Sequence, residues 1–416
     1  MNGQEKSREG AYARPQLRGG WSSKLRESLP GYALIAPALI LIFLFGVLPI
    51  FYALFVSLHQ WRIKQGPFVG LRNYEQIFGS PVPVAEIAAA VVAVALGARI
   101  GRSASVAKTL AGRSAVRTSS LALTLGGVAL LLIALSQIFA FGDRDMLDSV
   151  RVTVWYSLGT VPVQLSLGLG LAVLLDRKFR GRQAFRVMFL LPYIVPSVAS
   201  AAVFERILSL RPESFANQII ALFRAKPLQW LYEPTGVLHM LFGLGTVPVV
   251  NGGNPPAHGL GPQLTAYLGT WAQGPSLALV SVMIYNYWVF VGYYALIFLN
   301  GLAQIPKQLY DAAEVDGAGK ATIFWRIIVP LLSPSTYFLS LIGIIGTFKA
   351  FNHIYILRSP AAQGTIDPMS VYIFFTFFRM SRFGYAAALS LLLFAIILIL
   401  TLAQRRFMER RVFYGE

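Results

Sequence analysis

Long apolar blocks separated by short polar segments dominate the hydropathy pattern of the chain. The first block, Gly31 to Trp61, contains no aspartate, glutamate, lysine or arginine. A helix that crosses a bilayer needs about 20 such residues at about 1.5 Å each. Seven further blocks approach or exceed that length: Val84–Ile100, Ser119–Phe141, Val152–Leu175, Val187–Phe204, Pro275–Leu302, Ser335–Leu357 and Gly384–Ala403. The pattern predicts an all-α integral membrane protein with about eight transmembrane helices.

The basic residues predict the orientation of these helices. Apolar residues make up 56% of the 416, charged residues only 13%, and the net charge is +18. With the N-terminus in the cytoplasm, 23 of the 36 lysines and arginines lie on the inner side, in segments 1–30, 99–118, 176–186, 302–334 and 404–416. The positive charge therefore follows topology and contact with anionic lipid head groups, and it does not indicate nucleic-acid binding.

The weakest predicted span is Val84–Ile100, which is short and carries Glu86 at its rim. Its neighbour Ser119–Phe141 is long enough to cross. If only one of the two crossed, the basic segment 176–186 would lie outside, against the charge bias. We therefore expect the two helices to enter and return together as an inserted pair.

Several classes of site are absent from the sequence. There are no cysteines, so disulfides and thiolate metal sites are excluded, and the four histidines are scattered without metal-ligand spacing. No cofactor motif, activated nucleophile or pair of catalytic carboxylates is visible. The basic, polar first 30 residues predict a disordered cytoplasmic tail. The first apolar block is too long for a signal-peptide core, so we expect it to be retained.

The stretch "YDAAEVDGAGKATIFWRIIVPLLSP" interrupts the apolar pattern between residues 310 and 334. Its "GAGK" is not a phosphate-binding loop, because Glu314 occupies the position of the first glycine and Ala321 that of the metal-binding hydroxyl. We predict a short helix from Pro306 to Gly317 and a second from about Ala321 to Pro330. Such a short helix needs a surface to pack against. From these residues alone, the stretch can be interpreted either as an amphipathic connector or as a helix that docks onto a partner protein.

The same stretch resembles the signature loop of bacterial ABC-importer permeases, E-A-A, three residues, G, nine residues, I, one residue, L-P. All spacings fit, with Asp in place of Glu and Val329 in place of Leu. The matching residues are Asp311, Ala312, Ala313, Gly317, Ile327 and Pro330. The resemblance implies that this loop docks into a cytoplasmic ATPase and passes its movement to the membrane helices. The shorter Asp side chain puts the reach of that contact in doubt.

Further segments resemble the maltose-type sugar permeases, including "FVGLRNYEQIF", "RVMFLLPYIVPSVASAAVFERIL", "FNHIYIL" and "FGYAAALSLLLFAIILILT". The likeness covers residues 30–78 and about 145–410. The inserted helix pair and a Gly/Pro-rich stretch near 234–270 do not fit this family pattern. We assign no function to either segment. We therefore expect a six-helix permease core plus a two-helix insertion. The expected divisions are a tail (1–30), a first transmembrane helix (31–61), an insertion with a basic cytoplasmic loop (82–144), a core (145–404) with a coupling loop (303–334), and a C-terminal tail (405–416).

Polar and aromatic residues within the apolar blocks indicate where a substrate passes. Tyr193 and Ser197 are four residues apart in a segment with two prolines, Pro192 and Pro196, that tend to kink helices. Asn286 and Tyr293 are seven apart and share a face, whereas Trp288 lies about 200° around from Asn286. Alignment with the maltose-type permeases implies sugar contacts at Tyr193, Ser197, Asn286, Trp288 and Tyr293, with Asn352 in a less certain register. Packing between helices is the alternative for each of these residues.

Lys349 is the one basic residue deep within a predicted span, since Arg99 lies at the very end of its block. Because a lysine at the centre of a membrane helix costs about 2.5–3.5 kcal/mol on insertion scales, it should face protein or water rather than lipid. A place in the substrate pathway and a structural partner in a second permease both remain open.

The sequence thus predicts a non-enzymatic membrane subunit of an ATP-driven importer for a di- or oligosaccharide in the bacterial inner membrane, with both termini cytoplasmic. The resemblance implies an ABC ATPase dimer, a second homologous permease and an extracytoplasmic solute-binding protein as partners, and no cofactor. Import of glycerol 3-phosphate or a polyol is the alternative within the class. A gradient-driven transporter is disfavoured because the blocks hold almost no Asp or Glu and no internal repeat is found.

Overall fold

The computed structural model describes residues 21–103, 110–177, 179–244 and 267–408, without the side chains of 21–29, 103, 110–113 and 115. The start of the N-terminal tail, the tip of the predicted insertion, most of the Gly/Pro-rich stretch and the C-terminal tail from 409 lie outside the described residues. The chain divides into two compact units, 1–55 and 56–416. Within the described ranges there is no β-strand, only isolated bridges at His59–Phe68 and Gly236–Ser276.

The first unit is helical along the part that the structure describes. Helix α1 (Trp21–Ile42) leads through five π-helical residues, Phe43–Val47, into α2 (Leu48–Ser57), which continues into the second unit. Pro49 follows the π-helical segment closely, and a proline has no N–H to donate to the preceding turn. The helical stretch from Pro30 to Ser57 is long and apolar enough to cross a membrane, and it ends four residues before the predicted boundary at Trp61.

The second unit contains the remaining helices. They are α3 (Arg72–Phe78), α4 (Val82–Ser103), α5 (Leu110–Phe141), α6 (Arg144–Asp176), α7 (Arg182–Ile194), α8 (Ser197–Ile207), α9 (Phe215–Leu222), α10 (Val237–Phe242), α11 (Leu277–Leu302), α12 (Lys307–Val315), α13 (Lys320–Ile323), α14 (Val329–Leu331), α15 (Ser333–Phe348), α16 (Asn352–Leu357), α17 (Met369–Phe378) and α18 (Phe383–Met408). Residues Phe324–Ile328, between α13 and α14, are π-helical, again just before a proline, Pro330.

Every predicted apolar block coincides with a helix that is long and apolar enough to cross a membrane, or with a broken pair of helices. Six described helices pass on length and composition, and two bent pairs bring the number to eight. Two predictions of continuous spans were wrong. The helix predicted over 187–204 bends by 95° between Ile194 and Ser197, and the one over 335–357 stops at Phe348 and resumes at Asn352.

The two-helix insertion is a tightly packed hairpin of α4 and α5. A Cβ on Gly97 would lie 2.7 Å from the Thr124 side chain, and one on Gly127 would lie 2.8 Å from Val94, so both glycines allow the close approach. The Ser120 hydroxyl donates to the Gly97 carbonyl at 2.8 Å. Glu86, the acidic rim residue, accepts from the Gln137 amide at 3.3 Å. The carboxylate is thus turned toward the partner helix, as expected for a polar group in an apolar segment.

Helices α6 and α11 form the centre of the second unit. Gly168 of α6 lies against Tyr294, and a Cβ on Gly292 would collide with the Phe189 carbonyl oxygen of α7. These glycines let three helices approach at backbone distance, as small residues do in membrane bundles. Asp143 caps α6 by accepting from the Met146 amide at 3.1 Å. Its other oxygen accepts from the hydroxyls of Tyr372 and Tyr385, which ties α17 and α18 to the start of α6.

Candidate functional site

Helix α12 forms the short element predicted from the signature stretch. It runs from Lys307 to Val315, with Pro306 and Asp316 as its N- and C-terminal capping residues, and Gly317 follows the C-terminal cap. The Ala318 amide donates to the Ala313 carbonyl and the Gly317 amide to the Glu314 carbonyl, at 2.9 and 3.0 Å. This is the Schellman arrangement, which requires a left-handed residue after the cap. Gly317 supplies it with φ of +76°, so the glycine sets the direction in which the chain leaves α12.

The surface of α12 has no buried residue in this chain. Val315 is 87% exposed, Leu309 is 42% exposed, and both lie three residues from the exposed Ala312 on one face. Trp325, just beyond the loop, is 67% exposed. The carboxylates of Asp311, Glu314 and Asp316 are exposed as well and form no ion pair with any described residue. An apolar stripe beside unpaired carboxylates is typical of a surface that contacts another protein.

Tyr310 is a partly buried side chain of α12. Partial burial and the nearby carboxylate of Asp176, at the end of α6, both raise the pKa of Tyr310. The tyrosine therefore stays neutral at physiological pH, and its side chain is half-buried. Ile327 is half-buried and Pro330 is exposed on the following helical segment, which bends by 63° into α15. Only this short bent segment of the chain separates α12 from α15, so a displacement of α12 can be transmitted to α15.

The two helix breaks frame a cavity of about 600 Å³. One break is the bend at Pro196 between α7 and α8, and the other is the interruption between Phe348 and Asn352. Five of the six predicted substrate contacts line the cavity: Tyr193, Ser197, Asn286, Tyr293 and Asn352. Tyr193 and Ser197 were predicted to meet through helical spacing, but the bend lies between them. They line one cavity because the chain turns there.

Aromatic rings cover one wall of the cavity. The rings of Tyr193 and Tyr293 stack with centroids 4.6 Å apart and planes 15° apart. Phe290 meets the Tyr193 ring edge-on at 5.6 Å. The Tyr193 side chain is exposed to the cavity and the Tyr293 side chain is half-buried. Ordered aromatic faces beside hydroxyl and amide groups match the two kinds of surface that a saccharide ring presents.

Asn286 is part of a buried hydrogen-bond network at the base of the cavity. It is 5% exposed. Its side-chain carbonyl accepts from the Gln164 amide, and its own amide donates to the Tyr156 hydroxyl. His353 contacts the same hydroxyl at 2.8 Å and lies 3.4 Å from the Asn286 amide. The asparagine is therefore held by the protein, and its primary effect is to fix α6, α11 and α16 to one another beneath the cavity.

Trp288, the sixth predicted substrate contact, does not line this cavity. Its position about 200° from Asn286 on α11 carries it to the opposite face, where it lines a separate apolar pocket of about 610 Å³. There its ring lies 5.1 Å from the Phe204 ring. Because α11 is a regular helix through this region, the indole stays on the face opposite the one that carries Asn286.

Sequence reasoning missed the cavity-lining residues Gln164 and His353 and their buried neighbour Tyr156. The polar Gln164 in an apolar span is a signal that could have found the network. Lys349, for which the sequence allows two roles, lines the cavity with an exposed side chain. Gly346 also lines the cavity, where a Cβ would meet nothing within 4 Å.

The described part of the chain thus combines long apolar helices, a cavity with polar and aromatic lining, and the short exposed helix α12. Residues 164–413 match the family described as binding-protein-dependent transport system inner membrane component. The match covers more than half of the chain, and the chain therefore belongs to this family. It is accordingly a multi-pass inner-membrane transport subunit and not an enzyme.

Individual relatives extend the comparison. The chain is 24% identical over 381 residues to the trehalose/maltose transport system permease protein MalF of Thermococcus litoralis, covering 91% of this chain and 93% of that protein. It is 28% identical over 279 residues to the sn-glycerol-3-phosphate transport system permease protein UgpA of Agrobacterium fabrum, covering 66% and 79%. A chain of a bacterial ABC transporter involved in the import of the acidic polysaccharide alginate shares the fold. It has a TM-score of 0.60 and 16% identity, covering 94% of this chain and 98% of that chain.

Proposed function

We propose that this chain is a permease subunit of an ATP-driven importer for a di- or oligosaccharide. The observation that carries the substrate class is the cavity of about 600 Å³ between the two helix breaks, with stacked tyrosines on one wall and amide and hydroxyl groups nearby. The relative from Thermococcus litoralis, named for trehalose and maltose transport, supports a sugar. The relative named for glycerol 3-phosphate keeps that substrate as the second candidate.

The proposed partners follow from the surfaces. A cytoplasmic ABC ATPase dimer docks against α12 through the exposed Leu309, Ala312 and Val315, and its basic groups face Asp311 and Glu314. A second, related permease completes the wall of the pathway, and a solute-binding protein delivers substrate from outside. A solved alginate transporter in complex with a substrate-bound periplasmic protein shares the fold and supports this arrangement.

In the proposed mechanism, movement of the ATPase is transmitted to the cavity through connected helices. ATP-driven closure of the ATPase moves α12, and the bent segment from Lys320 to Leu331 passes the movement to α15. Helix α15 carries the cavity residue Gly346, and Lys349 directly follows it. The cavity then alternates between outward and inward access. A gradient-driven mechanism needs carboxylates at membrane depth as ion or proton relays, and among the described residues that line the cavity there is no Asp or Glu.

The positive-inside pattern supports cytoplasmic termini, which places the tip of the insertion and α12 on the same inner side. In this arrangement segments 1–30 and 405–416 are tails, 31–61 is the first transmembrane segment, and 145–404 is the permease core with its coupling loop at 303–334. The paired insertion, 82–144, leaves the topology of the core unchanged because it crosses twice.

A pair of alanine variants tests the cavity as the substrate site. Tyr293→Ala removes one member of the stacked pair at the cavity wall, and we expect the KM for uptake to rise by about tenfold, equivalent to about 1.4 kcal/mol. Trp288→Ala removes a larger aromatic residue of the same helix from the separate apolar pocket, and we expect the KM to stay within about twofold. Uptake would be measured in proteoliposomes with a saturating amount of binding protein. Equal effects of the two variants, or a larger effect of Trp288→Ala, would remove the cavity from the pathway.

A further inference from the structure

We propose that Lys349 is an anion-recognition residue of the cavity and that the imported saccharide or polyol carries a carboxylate or a phosphate. The inference rests on the proposed transport function and names the substrate class for the same site. The ammonium group would bind the acidic group, while the aromatic wall and the neutral polar groups bind the rest of the molecule.

The position of Lys349 is unusual for a cation. It directly follows the apolar helix α15 and precedes α16, so it lies inside the apolar block Ser335–Leu357 of the sequence. Charged side chains are rare at such depth and mark ligand or ion pathways when they occur. The side chain is exposed and lines the cavity rather than facing a helix neighbour.

No charge in the described part of the chain compensates this lysine. The ion pairs there are Arg151–Asp148 and Arg358–Asp367, and neither includes it. Among the residues that line the cavity Lys349 is the one lysine or arginine, and none is an aspartate or a glutamate. The cavity therefore has a single full positive charge on an otherwise uncharged polar and aromatic wall.

Desolvation decides between a neutral and an anionic occupant. A neutral sugar that fills the cavity displaces the water around the ammonium group and supplies no opposite charge, which disfavours binding. A carboxylate or phosphate replaces that water with charge-assisted hydrogen bonds, which are stronger than neutral ones. The exposed Asn352, three residues farther along, can bind a hydroxyl of the same molecule.

Two structural roles compete with this assignment. Lys349 is the C-terminal capping residue of α15, where a cation interacts favourably with the helix dipole. A carboxylate of a second permease is another conceivable partner. Neither role makes binding depend on the charge of the substrate, and this difference separates them from substrate recognition.

The test uses the complete transporter in lipid nanodiscs without the binding protein, so that the specificity of that protein does not enter. Two matched pairs of probes are titrated by calorimetry: cellobiouronic acid against cellobiose, and glycerol 3-phosphate against glycerol. We expect the acidic member of at least one pair to bind roughly tenfold or more tightly than its neutral counterpart. Lys349→Met should abolish that preference, and Lys349→Arg should retain most of it. A preference for cellobiouronic acid over cellobiose would indicate a carboxylate as the recognised group. A preference for glycerol 3-phosphate over glycerol would indicate a phosphate.

Several outcomes would overturn the assignment. Tighter or equal binding of the neutral probes by the unaltered transporter would leave the saccharide function standing and exclude Lys349 as an anion site. An unchanged acid preference in Lys349→Met, or an equal loss for acidic and neutral probes, would assign the lysine a structural role. Dissociation of the two permeases in Lys349→Met would assign it to their interface. Binding of none of the four probes would overturn the proposed substrate class as well.

Discussion

Replacing Gly317 with leucine should lower ATP-coupled transport at least tenfold while the protein remains inserted in the membrane. Gly317 occupies the left-handed region with φ of +76°. A residue with a side chain costs roughly 1–2 kcal/mol in that conformation, and the Schellman bonds at the end of α12 would rearrange to relieve it. The loop would then leave α12 in a different direction, and the helix could no longer present its face to the ATPase while joined to the bent segment behind it.

The same loop supplies the control. Gly319 has ordinary backbone angles, and a Cβ there meets nothing within 4 Å, as at Gly317. Gly319→Leu adds the same side chain without the backbone strain, so transport and substrate-stimulated ATP hydrolysis should stay close to normal. Gly317→Asn should retain more activity than Gly317→Leu, because asparagine tolerates the left-handed region best after glycine. Normal coupling in Gly317→Leu would refute the role assigned to this turn.

Filling the cavity should abolish uptake without unfolding the protein. Gly346 lines the cavity from α15, and a Cβ at this position points into open space. Gly346→Trp would place a large ring where the substrate is expected, and we expect uptake to fall to background. Gly346→Ala adds one methyl group to a helix and should leave both uptake and thermal stability close to normal.

Gly126 provides the matched position for the same substitution. It is an exposed helical glycine of the insertion, and a Cβ there also meets nothing within 4 Å. Gly126→Trp should insert normally and transport at the rate of the unaltered chain, as measured by uptake of radiolabelled substrate into proteoliposomes. If Gly346→Trp transports as well as Gly126→Trp does, the pathway lies outside this cavity.

The apolar blocks could be located from the sequence because length and composition alone decide whether a helix can cross a bilayer. The position of α12 was predictable for a different reason: Pro306 and Gly317 mark helix boundaries through their backbone chemistry, independently of tertiary contacts. The same local signals did not reveal the bend of 95° at Pro196. A proline permits a bend, but the neighbouring helices decide whether a helix kinks slightly or turns away.

The cavity was predictable only in part. Tyr193 and Ser197 were expected on one face of a continuous helix, and they line the same cavity only because that helix is broken. Asn286 was predicted to contact the sugar, with a bond to a neighbouring helix as the alternative. Gln164 and Tyr156, more than 100 residues earlier in the chain, hydrogen-bond to its amide group. Helical spacing on one element cannot show which polar groups another element already binds. The angle of about 200° between Trp288 and Asn286 follows from the spacing of residues on a single regular helix. In the structure the two side chains accordingly lie on opposite faces of α11.

Uptake by the reconstituted complex tests the central claim most directly. Proteoliposomes would contain this chain, its partner permease, the ATPase and the binding protein, with substrate outside and nucleotide sealed on the ATPase side. Accumulation should require ATP, cease when ATP is replaced with a non-hydrolysable analogue, and remain unaffected by proton or sodium gradients. Accumulation driven by an imposed ion gradient in the absence of nucleotide would contradict an ATP-driven permease coupled through α12.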